Sequence, residues 1–231
     1  IMKISFNGNV FSANGQCIIG GGTGNTQKFD EVKAKDCSNI EKISINSALY
    51  DVNVSVSNSS KVEAHFYGEA NIDGDVNFDV YVVNCELIIT LKFTGNCSYG
   101  NLKLDVTIPQ KIFKVISANS SSANITLNEG VLVNYLKAKT ISGDLKTNAT
   151  VNNASVSTMS GNIGFCTNAT QDINVEISTM SGNVSVEFNN IGHINLSTNS
   201  MSGNVKNLHK ERRGYNADVD ISTMSGNISI K

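Results

Sequence analysis

The chain has 231 residues, 40% of them hydrophobic, with a net charge of −2 at pH 7. That length holds one large β domain or two small ones, and the near-neutral balance excludes an electrostatic footprint for nucleic acid or for an anionic membrane surface. A single proline, no tryptophan and an abundance of Asn, Ser, Val and Ile describe short strands joined by polar turns.

From the start, Ile1 is followed by neither a charged-then-apolar leader nor an apolar run long enough to span a bilayer, so the sequence reads as a mature or trimmed piece. Gly8 to Asn25 is rich in Gly and Asn. Its Gly20-Gly21-Gly22-Thr23-Gly24-Asn25 run lacks the Lys-Ser/Thr pair and the following helix of a phosphate loop, so it reads as a turn-forming or flexible segment. Strands are expected at Ile43–Ile45, Val52–Val56, Val62–Phe66, Phe78–Val82, Leu87–Phe93 and Leu102–Ile108. Turns at 58–60, Asp73-Gly74-Asp75 and Gly95-Asn96 suit antiparallel hairpins, and Pro109 closes the series. Cys17, Cys37, Cys85, Cys97 and Cys166 show no metal or redox spacing. A Cys85–Cys97 bridge is one reading, and buried free thiols are the favoured one.

Beyond residue 115 a repeat takes over. Thr-Met-Ser-Gly-Asn stands at Thr158–Asn162, Thr179–Asn183 and Thr223–Asn227, with a variant at Met201–Asn204 behind a two-residue Asn199-Ser200 insertion, and a divergent copy at Thr140–Asp144. Ser120–Ile125 is an earlier worn unit in which Ala123 takes the glycine place. Period-2 alternation at Ile173, Val175 and Ile177 resumes in the opposite phase at Val184, Val186 and Phe188, so the chain turns a corner at Gly182, which should have φ > 0. A strand, a corner, a strand and a return loop, recurring at about 21 residues, cannot bury one apolar face alone and must stack. The expected fold is all-β: residues 1–114 an antiparallel section, and 115–231 a single-stranded β-solenoid continuous with it. Stacking in chain order predicts an internal column of Ile141, Met159, Met180, Met201 and Met224. It also predicts a ladder of Asp144, Asn162, Asn183, Asn204 and Asn227.

The alternating strands around Asp51-Val52-Asn53-Val54, then Leu102–Pro109 leading into repeated Ser-Gly-Asn/Asp-Val/Ile units, resemble the bacterial "putative adhesin" family of β-strand repeats over about residues 40 to 231. This is a domain of unknown function recurring in envelope proteins. The resemblance implies a β-solenoid and an extracellular or cell-surface location, and it transfers no active site.

The residues themselves offer no catalytic constellation and imply no cofactor. His65, His193 and His209 are scattered, and the corner serines Ser160, Ser181, Ser202 and Ser225 repeat with the turn, as hydrogen-bonding turn residues do. Calcium-binding repeats carry Asp in their glycine-rich turns, whereas only Asp144 does so here. Asp73, Asp75 and Asp79, and Asp218 and Asp220, fall on one face of a strand and read as solvated. Sequons such as Asn124, Asn148, Asn168, Asn183, Asn195 and Asn227 follow from composition.

The irregular return loop gathers Lys206, His209, Lys210, Arg212, Arg213 and Tyr215, a candidate site for an anionic polymer beside the plainer reading of a solvated loop. Two functional classes remain: an adhesin-like binder of surface glycans, cell-wall polymers or host proteins, and a structural envelope spacer. A binder carries exposed apolar residues beyond the core's needs, whereas a spacer shows small polar residues outward. With the methionines counted as internal, the outward positions favour the spacer or a weak glycan binder.

Overall fold

The structure is a computed structural model that describes residues 4–6, 9–11, 26–47 and 49–231. Strands β1 (Ile4–Phe6) and β2 (Asn9–Phe11) form a separate antiparallel pair. The rest of the expected turn-forming segment, Cys17 included, lies outside the described residues.

The other seventeen strands make one continuous stack. They are β3 (Thr26–Asp36), β4 (Lys42–Ser47), β5 (Asp51–Ser57), β6 (Lys61–Val83), β7 (Glu86–Pro109), β8 (Ile112–Ser120), β9 (Ile125–Leu127), β10 (Leu132–Ser142), β11 (Leu145–Thr147), β12 (Thr150–Ser160), β13 (Ile163–Asn168), β14 (Ile173–Ser181), β15 (Val184–Asn189), β16 (Ile191–Ser202), β17 (Val205–Asn207), β18 (Tyr215–Ser225) and β19 (Ile228–Ile230).

From β8 onward consecutive strands pair off as coils, strand–corner–strand, and successive coils are parallel. Inward residues alternate as the sequence predicts. Val175, Ile177, Val184, Val186 and Phe188 are buried, each such side chain contributing about 1.5–3 kcal/mol, and one core runs from Cys37 to Ile230.

Two features depart from chain order. First, β4 and β5 are not hairpin strands. They form a coil inserted between β7 on one side and β8–β9 on the other, parallel to all three. Strand β7 spans both faces of the stack, its start pairing with β4 and its end with β5. Strand β6 runs antiparallel along its whole length, and β3 forms the outer edge beyond β6. The expected turns at Asp73-Gly74-Asp75 and Gly95-Asn96 are therefore mid-strand: Gly74 stands opposite Gly95. The actual turn is at Asn84 and Cys85, both with positive φ, and Cys85 is an exposed free thiol rather than half of a bridge, while Cys37 is free and buried.

Second, the last coil, β18–β19, inserts between β14–β15 and β16–β17. Among the described residues the stack therefore ends on β16–β17, with no further strand on its outer edge. Asn199 and Ser200 are not an insertion either. Register is unbroken from Ile194 to Ser202 against Ala217 to Ser225, so Asn199 and Ser200 occupy the places of Ser222 and Thr223.

Candidate ligand groove

The corners position everything that follows. Gly182 has φ 153°, and a Cβ built there would lie 1.9 Å from the Gly161 carbonyl oxygen. Gly226 stands in the same relation to Gly182, also at 1.9 Å. The coils approach so closely at this column that only glycine fits.

Beside it runs the expected amide ladder. Each side-chain Oδ1 accepts the backbone N–H of the next coil: Asp144 from Asn162 at 2.7 Å, Asn162 from Asn183 at 3.0 Å, Asn183 from Asn227 at 3.0 Å and Asn227 from Asn204 at 3.0 Å. The ladder also extends the other way, through Asn124 to Asp51, whose Oδ1 accepts the Asn124 N–H at 3.0 Å. Its order is that of the stack, not of the sequence.

The methionine column is on the outside, which corrects the expectation that it is internal. Met180 is 46% exposed, Met224 49% and Met201 77%. The inward alternation of Ile173, Val175 and Ile177 continues to Thr179, which is buried. Its hydroxyl donates to the Gly161 carbonyl at 3.4 Å, as Thr158 does to Gly143 and Thr140 to Ala123, both at 3.2 Å. On these three coils threonine in the last inward place satisfies a carbonyl of the neighbouring coil, and the next residue then points out.

Where the strands bend, two outward rows face one groove of about 380 Å³, within the usual range for ligand sites. One row is Ile141, Met159, Met180, Met224 and Met201. The other is Lys139, Ser157, Ser178, Ser222 and Asn199. Strand register places these residues side by side in that order, so the groove runs along the stack for roughly 19 Å at the usual strand spacing. One end is marked by Lys139 and the other opens at the free edge of β16. The hydroxyls of Ser200 and Thr223, on the last two rungs, are buried without a partner. Sequence reasoning missed the polar row and Lys139. The available signal was the phase of Thr179 with Ile177.

The basic loop lies at the point where the chain crosses itself. Gly192 and Gly214 meet so closely that a Cβ on Gly192 would lie 2.7 Å from the Gly214 nitrogen, and one on Gly214 would lie 2.6 Å from the Gly192 nitrogen. Arg212 donates through Nε to the Ile191 carbonyl and through Nη2 to the Phe188 carbonyl, each at 3.0 Å. His209 Nε2 lies 3.3 Å from the Gly192 carbonyl, and His193 Nδ1 lies 2.9 Å from Glu211 Oε1. Lys206, Lys210 and Arg213 are exposed, as is the Tyr215 side chain. The third histidine, His65, is far off in β6, 2.7 Å from Asp30 Oδ1 and stacked on Tyr67.

Asp172 and Cys166 are among the groups with shifted titrations. Asp172 sits below its ordinary value because it accepts from the Asn216 backbone N–H, at 2.8 Å, and from its side-chain amide. Burial, with help from Glu187 and Glu129, pushes the Cys166 thiol up.

Comparison with known proteins places the architecture. The model of the Toastrack DUF4097 family matches residues 40–231. A "putative cell adhesion protein" from Clostridium sporogenes ATCC 15579 superposes with a TM-score of 0.62 at 15% identity, covering 89% of this chain and 99% of its own. A "putative adhesin" from Bacteroides fragilis NCTC 9343 gives 0.48 at 16% identity, covering 89% and 98%. A "putative lipid binding protein" from Parabacteroides distasonis ATCC 8503 gives 0.36 at 15%, covering 91% and 98%. No functionally curated protein matches the sequence. Among the described residues no helix is long and apolar enough to cross a membrane. The all-β stack and the family match over residues 40–231 together establish that this chain belongs to the Toastrack DUF4097 family.

Proposed function

We propose that the chain is a non-catalytic binding module of adhesin type, acting outside the cell or at its surface, and that the methionine-lined groove is its contact surface. The observation that carries this reading is the outward methionine row. Three large, pliable apolar side chains, Met180, Met224 and Met201, are between 46% and 77% exposed on adjacent rungs, where core packing does not require them. Exposed contiguous apolar surface marks contact sites, and methionine suits surfaces that adapt to their ligands. The alternative, an envelope spacer, has no use for such a row.

The test immobilises the chain on beads and measures retention on polysaccharides, matrix proteins and lipid vesicles, with Met180→Asp/Met224→Asp as the comparison. Retention that depends on the two methionines supports the module. A parent that binds nothing, or a variant that binds equally, supports the spacer.

A second reading concerns the 206–215 loop as a site for anionic polymers. The exposure of Lys206, Lys210 and Arg213 favours it, although the Arg212 guanidinium already serves two carbonyls. Salt-sensitive binding lost in Lys210→Ala/Arg213→Ala would establish it.

A further inference from the structure

We infer that the methionine face of β14, β18 and β16 docks a second copy of this chain, the basic return loop of each copy lying on the exposed methionines and carboxylates of the other. This rests on the reading of the groove as a contact surface and names its partner. Charge pattern, exposed apolar side chains and the paired floor select that partner.

Four residues before Met180 and Met224 stand Glu176 and Asp220, directly opposite each other in the register, with Asp218 two residues before Asp220 on the same strand face. All three are exposed, and like charges set side by side on a sheet repel. Asp218 accepts from the Asn195 amide at 3.1 Å. Among the described residues none of the three makes an ion pair. The one cation of that row, Lys137, stands two strands from Glu176.

The matching cations lie in the loop that runs into β18. Lys206, Lys210 and Arg213 are exposed and make no ion pair among the described residues, while the loop's one carboxylate, Glu211, faces His193 at 2.9 Å. The chain therefore passes from basic to acidic between Lys206 and Asp220. A segment so patterned matches itself when two copies lie antiparallel about a twofold axis, each loop over the other's carboxylates. Apolar surface follows the same symmetry: Leu208 and Tyr215 are exposed among the cations of the loop, as Met180 and Met224 are beyond the carboxylates. Methionine adapts to such a partner.

Strands β14 and β18 pair with a neighbour on both sides, so side chains make the contact and no strand is added there. The 11 residues of β18 and the width of three strands cover roughly 36 Å by 14 Å, about 1,000 Å² over both copies and near the lower limit of a specific interface. The dimer is therefore weak and salt-sensitive.

Sedimentation velocity from micromolar to millimolar chain should show a monomer–dimer equilibrium that high salt weakens about tenfold. Glu176→Lys/Asp220→Lys and Lys210→Glu/Arg213→Glu, both changed at exposed positions and checked for fold by melting temperature, should each stay monomeric. Their equimolar mixture should restore the dimer, because the reversed carboxylate patch of one then meets the reversed loop of the other. Met180→Ser/Met224→Ser should weaken the parent dimer about tenfold, as loss of two apolar contacts does.

A parent that stays monomeric at millimolar concentration overturns the proposal. So does a dimer that survives either reversal, a mixture that restores nothing, or open-ended assembly in place of a closed pair. If no dimer forms while bead retention still depends on Met180 and Met224, the partner is foreign and the binding module stands. If both fail, both readings fall. A dimer restored by the mixture, with no retention on any surface, leaves self-association as the role of the groove.

Discussion

The Oδ1 of Asn183 accepts the backbone N–H of Asn227 at 3.0 Å across 44 residues of sequence. Asn204, the next ladder residue in the chain, lies one rung further out, donating to Asn227 instead. The last coil has been slotted beneath the one made before it, and the groove, the ladder and the glycine column all follow that order.

Replacing Gly182 by alanine should destabilise the chain by more than about 1 kcal/mol, because the added Cβ meets the Gly161 carbonyl at 1.9 Å and φ is positive. Urea denaturation of Gly182→Ala measures it. A midpoint equal to the parent's would mean that the corner has slack that the close approach denies.

Met180→Asp should shift stability by no more than about 0.5 kcal/mol, as surface changes do, whereas Ile177→Asp should cost several kcal/mol by burying an unpaired charge. Thermal melts of the two variants give the contrast. Equal losses would put the methionine back in the core.

Asn227→Ala removes the acceptor for the Asn204 N–H, a loss of about 1 kcal/mol for one hydrogen bond. Because β16–β17 is paired on one side only among the described residues, amide exchange should accelerate in that coil and stay unchanged in β12–β13. Uniform acceleration through all coils would contradict a local clamp.

The clamp of Asp172 on Asn216, which ties β14 to the inserted β18, is pH-dependent. The folded Asp172 carboxyl lies below its unfolded value, so its contribution is present above the ordinary carboxylate range and is lost as pH falls through the depressed value. Between about pH 5 and pH 2 the parent's melting temperature should fall further than that of Asp172→Asn. Parallel curves would show that the interaction carries no stability.

The repeat itself was legible because turn chemistry is local. Gly182 needs positive φ, and Asn183 offers an amide to the next coil wherever that coil comes from. The phase of the corner was harder to read, since Thr179 and Met180 both fit the last inward place by size. A carbonyl in the neighbouring coil decided for threonine, and that partner is seen only once coils are stacked. Stack order was not legible at all: the corners at Gly161, Gly182, Gly203 and Gly226 present the same glycine and the same amide, so each of those coils fits beneath any other of them. The order is fixed instead by the return loop, where Gly192 and Gly214 let two chain segments cross and Arg212 holds the crossing. The same distance from local pattern explains the hairpin of β6 and β7. Its Gly74 and Gly95 resemble turns but face each other in mid-strand.

The outward methionine ladder is tested most directly by ¹³C ε-methyl spectra of the native chain, recorded with and without a soluble gadolinium chelate. Met180, Met224 and Met201 should broaden strongly, Met201 most, and contacts between methyl groups should link Met180 to Met224 and Met224 to Met201 but not Met180 to Met201. Methyl signals shielded from the chelate, or a direct Met180–Met201 contact, would contradict both the exposed groove and the order of the coils that builds it.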